Sequence, residues 1–113
     1  MNRLSALHCK ALPKGSPALD AGSARSLLTE LATGWAISSD GSELVREFKF
    51  ADFYRTMSFV NAVAHVANVE DHHPDLEIGY SRCKVRYSTH SVGGLSDNDF
   101  ICAAKIDALD AAT

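Results

Sequence analysis

Asn68-Val69-Glu70-Asp71-His72-His73-Pro74 ends one kind of structure and begins another. Before it, apolar residues recur every three or four positions; after it, side chains alternate in twos. Pro74 disfavours helical backbone at His73, so a helix arriving from the N-terminal side must stop here. Two adjacent imidazoles, which change charge near neutral pH, therefore fall at a helix terminus whose dipole favours their protonated form.

Upstream, Asp52 is placed to cap this helix, and Phe53, Met57, Val60, Ala64 and Ala67 form its apolar stripe, widened by Phe59 and Val63. The stripe reads as core, and the helix has room to run to about Glu70. His65, inside the helix with no partner motif, stays outside the candidate site. Downstream, Leu76 to Tyr80 reads as a strand, Ser81-Arg82 as a turn, and Cys83 to Ser88 as a strand with Cys83, Val85 and Tyr87 on one face. An antiparallel hairpin brings its ends together, so His73 at its start and His90 just past its end become neighbours. Gly93-Gly94 then marks a loop, and Ser96 with Asp99 three residues on forms a capping box for a last helix carrying Phe100, Ile101, Ala104 and Leu109. Asp99 is most simply a capping residue.

Nearer the N-terminus, Trp35 to Ser38, a turn with Asp40-Gly41, and Glu43 to Phe50 make a first hairpin, with Leu44, Arg46, Phe48 and Phe50 on one face. Asp20 or Ser23 caps a helix through Leu27, Leu28 and Leu31 that Gly34 can stop. Residues 1–19 lack periodicity and read as an irregular arm, in which His8-Cys9 has too few ligands nearby to suggest a metal site. Residues 20–113 read as one domain. The order αββαββα predicts an α+β two-layer sandwich, a four-stranded antiparallel sheet with its helices on one face. Such a sheet leaves its other face and its edges uncovered, which predicts a homodimer or homotetramer.

The 113 residues suffice for a single core. A net charge of -3 without any run of Lys or Arg argues against direct nucleic acid or anionic membrane partners. Three scattered cysteines without a CxxC suggest neither a disulfide framework nor a zinc knuckle, and fit a reducing cytoplasm. No stretch approaches the roughly 20 apolar residues of a membrane span, which predicts a soluble protein.

The histidines admit three readings. His72 and His73 can merely cap a helix while His90 fills a loop. Asp71, His72 or His73, and His90 can form the two-histidine, one-carboxylate set that suits non-haem iron. Or the imidazoles can act without metal as acid and base, for which their ordinary pKa is already suitable.

A resemblance favours the third reading. An acidic helix end leading into Asp71-His72-His73-Pro74, a hairpin-length stretch, Ser88-Thr89-His90, then Gly93-Gly94-Leu95-Ser96 with Asp99 and a closing helix resemble the pterin-4a-carbinolamine dehydratases, more weakly from about Trp35 to Leu109. The chain departs from the pattern at Asp75-Leu76-Glu77, where many members carry an aromatic. The resemblance implies the same α+β sandwich and a hydro-lyase that dehydrates 4a-hydroxytetrahydrobiopterin to quinonoid dihydropterin and water, recycling the tetrahydropterin of aromatic amino acid hydroxylases. It implies no cofactor and no metal. His72, His73 and His90 would be the catalytic set, with His72 and His90 as the acid-base pair and His73 chiefly binding substrate. Asp71, Ser88, Thr89 and Ser91 would line the pterin pocket with them. Coupling to a hydroxylase is implied as well. The alternative is a role that some members have as dimerisation cofactors of a transcription factor.

Overall fold

The structure is a computed structural model and describes residues 2–111. Met1 of the arm and the last two residues of the 20–113 domain lie outside the described residues. Helices α1 (Ala21–Leu28), α2 (Phe53–Glu70) and α3 (Asp97–Ala111) and strands β1 (Ala36–Ile37), β2 (Leu44–Lys49), β3 (Asp75–Ile78) and β4 (Arg82–Tyr87) follow in the order αββαββα. The strands make one antiparallel sheet in the order β1-β2-β4-β3. The pairing of β2 with β4 runs from Leu44 opposite Tyr87 to Lys49 opposite Arg82. Alternation along both strands then turns Leu44, Phe48, Cys83, Val85 and Tyr87 to one face, where all are buried.

Arg46 shares that inward face, as predicted, and its charge is met by α3. Its guanidinium donates to Asp107 at 2.7 Å and Asp110 at 3.3 Å and lies 4.2 Å over the Phe48 ring. Asp107 also accepts from the Trp35 indole at 2.7 Å and the Ala32 amide at 2.9 Å. One carboxylate thus ties the sheet, the segment after α1 and α3 together, and Trp35 is a core aromatic.

The capping residue of α2 is the predicted one: Asp52 accepts from the Arg55 amide at 2.8 Å. Its buried face is rotated from the predicted stripe. Thr56, Phe59, Val60, Val63, Ala67 and Glu70 are buried, whereas Phe53 is 48% exposed and Ala64 is exposed. The cause is polar. The Thr56 hydroxyl lies 2.9 Å from the carbonyls of both Asp52 and Tyr80, so a residue that reads as surface is satisfied inside. The short β3–β4 connection is also displaced: Arg82 is the first residue of β4 and pairs with Lys49, not a turn residue. Helix α1 starts at the predicted Asp20 cap but ends at Leu28, well before Gly34.

Glu47, Lys49, Lys84 and Arg86 alternate to the far face of the sheet, where Arg86 pairs with Glu77 at 2.6 Å. A charged face can remain in water, whereas Phe53, Tyr54, Val69, Ile78 and Tyr80 are exposed apolar or aromatic side chains. Among the described residues, no helix is long and apolar enough to cross a membrane. The arm is irregular apart from a 3-10 turn at Leu4–Ala6, whose Leu4 reaches the core. It then runs along the ends of α2 and α3, donating from the Cys9 amide to Glu70 at 2.8 Å and from the Lys10 amide to Asn98 at 3.0 Å. Farther on it donates from Gly15 to the Ser91 carbonyl at 3.1 Å and from Leu19 to the Leu95 carbonyl at 2.8 Å.

Candidate active site

Helix α2 ends at Asp71, which takes left-handed backbone angles of φ 51° and ψ 44°. Asp tolerates that region better than most residues with a side chain. The reversal lets the His72 amide close back on the Ala67 carbonyl at 3.1 Å. The His72 ring stacks on the buried Tyr87 of β4, with ring centroids 5.6 Å apart and planes 12° from parallel. Its Nε2 lies 2.6 Å from Asp99 Oδ1, and its side chain is 13% exposed.

Asp99 has no exposed surface, yet every contact on it is a donor. Oδ1 takes the His72 bond, and Oδ2 accepts from the Thr89 hydroxyl at 2.8 Å and the Ser96 amide at 2.9 Å. Since the Thr89 proton points to Asp99, the Ser96 hydroxyl donates to Thr89 at 2.6 Å and itself accepts from the Asn98 amide at 3.2 Å. The donors run one way, toward the carboxylate, and such chains polarise one another. A carboxylate can only accept, which assigns the Nε2 proton to His72 and leaves Nδ1 as the nitrogen free for chemistry.

The predicted residues divide into two groups. His72 and Thr89 meet through Asp99, which joins the stretch after α2 to the stretch after β4. Asp71, His73, Ser88 and His90 are exposed around this buried centre, and Ser91 is half-buried with its carbonyl engaged by the arm. His90 opens a short 3-10 turn and its carbonyl accepts from the Gly93 amide at 3.1 Å. Two residues of the site escaped the sequence reading. Asp99 does form the predicted capping box, but its second oxygen holds His72; Tyr87 is core and also the platform for that ring. The cap, which is the role the sequence suggested for Asp99, accounts for only one of its oxygens. Among the described residues, no three His, Cys, Asp or Glu side chains are grouped so as to hold a metal ion.

A crystal structure described as a transcriptional coactivator/pterin dehydratase from Brucella melitensis superposes with a TM-score of 0.77 at 32% identity, covering 81% of this chain and 97% of that one. The fold is thus the α+β class of that protein, with the αββαββα order predicted from the sequence. A Legionella pneumophila (strain Corby) protein is 49% identical over 94% of both chains. A Xanthomonas euvesicatoria pv. vesicatoria (strain 85-10) protein is 55% identical over 90% of this chain and 86% of its own. Both carry names that assign them provisionally as pterin-4-alpha-carbinolamine dehydratases. The sequence profile of the pterin 4 alpha carbinolamine dehydratases matches residues 17–109. The chain belongs to that family, whose enzyme class is hydro-lyase.

Proposed function

We propose that this chain dehydrates 4a-hydroxytetrahydrobiopterin to quinonoid dihydropterin and water by histidine acid-base catalysis. The observation that carries the reading is the 2.6 Å contact between His72 and the fully buried Asp99. Hydroxide is a poor leaving group, so the 4a-hydroxyl must gain a proton as its C–O bond breaks. The adjacent ring nitrogen must lose one as its electron pair forms the C=N bond. Asp99 holds the Nε2 proton of His72 and keeps the ring oriented, so Nδ1 is the atom that gives or takes the proton. Tyr87 blocks rotation of the ring by stacking on it. His90, on the exposed turn after Thr89, is the second member of the acid-base pair, and His73 binds substrate with Asp71, Ser88, Thr89 and Ser91 at the pocket wall. Proton transfer of this kind requires neither metal nor cofactor. The test is a rate assay on 4a-hydroxytetrahydrobiopterin: His72→Ala and His90→Ala should each lower turnover strongly in folded protein, and normal turnover in both would overturn the assignment.

This activity would return the tetrahydropterin of an aromatic amino acid hydroxylase to use, in the cytoplasm and as a homodimer or homotetramer. A second reading, as a dimerisation cofactor of a transcription factor, draws on the coactivator half of the Brucella protein's name. Retained capture of a helical protein partner by a His90→Ala variant that has lost dehydration would add that role.

A further inference from the structure

The dehydration chemistry uses none of the cysteines, yet two of them touch. Cys9 on the arm and Cys102 on α3 are 93 positions apart in sequence, and their Sγ atoms lie 3.5 Å apart. That is contact distance for two reduced sulfurs; a disulfide has them at about 2.05 Å, so closure asks for an approach of about 1.5 Å. The backbone around Cys9 is held in position for it. The Cys9 amide donates to Glu70, the Lys10 amide to Asn98 Oδ1, and the Asn98 side-chain amide returns a bond to the Lys10 carbonyl at 2.7 Å. Glu70 is itself kept charged there: burial pushes its carboxyl up, but the Cys9 amide, His8 and Lys105 more than offset this and leave it below its ordinary value.

The two sulfurs differ in access. Cys9 is half-buried, whereas Cys102 is fully buried beside the Tyr87 hydroxyl. Contact with Cys9, then burial, raises the Cys102 thiol above its ordinary pKa. An oxidant therefore reaches Cys9 first, and Cys102 is the sulfur that resolves it.

We propose that Cys9 and Cys102 are a reversible dithiol-disulfide pair that locks the arm to α3. With hydrogen peroxide as oxidant, the Cys9 thiolate attacks the O–O bond, gains OH as a sulfenic acid and releases hydroxide. Hydroxide takes the Cys102 proton, and that thiolate attacks the Cys9 sulfur, forming the S–S bond and expelling a second hydroxide. This one recombines with the proton first lost by Cys9. Two thiols and one peroxide become one disulfide and two waters, the two electrons passing from sulfur to the peroxide oxygens. The lock bears on the site from both sides. The arm bonds Glu70, two residues before His72, and Ser91, one residue after His90.

The full chain, treated with hydrogen peroxide, then denatured, alkylated and mapped by mass spectrometry, tests this. The expected result is one alkylatable thiol, Cys83, a mass lower by two hydrogens, and a cross-linked pair of peptides joining Cys9 to Cys102. Dithiothreitol should reverse all three changes. The oxidised form should also melt several degrees higher than the reduced form, as expected for a cross-link closing a long loop. In Cys9→Ser, the same treatment should leave Cys83 and Cys102 both alkylatable, because both are buried. Wild-type protein in which Cys9 ends as a sulfinic acid while Cys102 stays free would overturn the proposal. A bond to Cys83, or one between chains, would do the same, and these readouts on wild-type protein do not depend on the variant folding.

Discussion

Replacing Asp99 with Asn changes shape least and chemistry most. The side chain keeps its volume in a position with no exposed surface, but it must still meet three donors: His72 Nε2 at 2.6 Å, Thr89 Oγ1 at 2.8 Å and the Ser96 amide at 2.9 Å. Asn has one oxygen to offer. If that oxygen stays with Thr89 and Ser96, the new NH2 faces His72 and can bond only to an unprotonated Nε2, which moves the ring proton to Nδ1. The nitrogen assigned to catalysis then becomes a donor in the neutral ring and cannot take the substrate proton. Loss of a general acid-base group costs roughly a hundred- to ten-thousand-fold in kcat, which is about 3 to 5.5 kcal/mol of barrier. The stability cost is smaller. Hydrogen bonds to a charged group contribute about 1.5–3 kcal/mol each, and for a chain of this length one such loss lowers Tm by roughly 6–13 °C. Steady-state kinetics on 4a-hydroxytetrahydrobiopterin and nitrogen-15 NMR of the imidazole separate the two effects. The wild-type ring should carry its neutral-form proton on Nε2 and the variant on Nδ1. A folded Asp99→Asn variant with wild-type kcat would refute the reasoning, and a wild-type ring protonated on Nδ1 would refute it before any kinetics.

The three histidines should differ in kind. His72→Ala and His90→Ala should each depress kcat strongly, with the double variant little worse than the poorer single one because they serve one transition state, while His73→Ala should chiefly raise KM. Exhaustive chelation should leave turnover unchanged; activity lost to a chelator and restored by iron or zinc would instead favour a metal mechanism. Glu70→Gln should change how stability varies with acid. The Glu70 carboxyl is held below its ordinary 4.5 in the folded chain, so its contribution is complete above that pH and is lost as pH falls through the folded value. Urea titrations across this range should show the variant less stable near neutral pH and less sensitive to acid, and parallel curves would contradict the role given to Glu70.

What could be read from the residues, and what could not, follows from the range of the interactions involved. The ends of α2 were legible because their signals are local: Asp52 caps within three residues, and Pro74 restricts its immediate neighbour. The inward face of β4 was legible for the same reason, since alternation is a property of the strand alone. The buried face of α2 was not. Hydrophobicity assigned Phe53 and Ala64 to the core, but the helix buries Thr56 and Glu70 instead, each excused from solvent by a partner far along the chain, Tyr80 in one case and His8 with Cys9 in the other. Asp99 shows the same limit inside the site. A capping box explains an acid three residues after Ser96, and a local explanation that suffices gives no reason to look for a second. Its other oxygen is claimed by a histidine 27 positions away, which only the return of the β3–β4 hairpin brings within reach. Sequence periodicity therefore located the histidines, but the residue that decides which nitrogen of His72 is free belongs to another element, and its assignment required the tertiary structure.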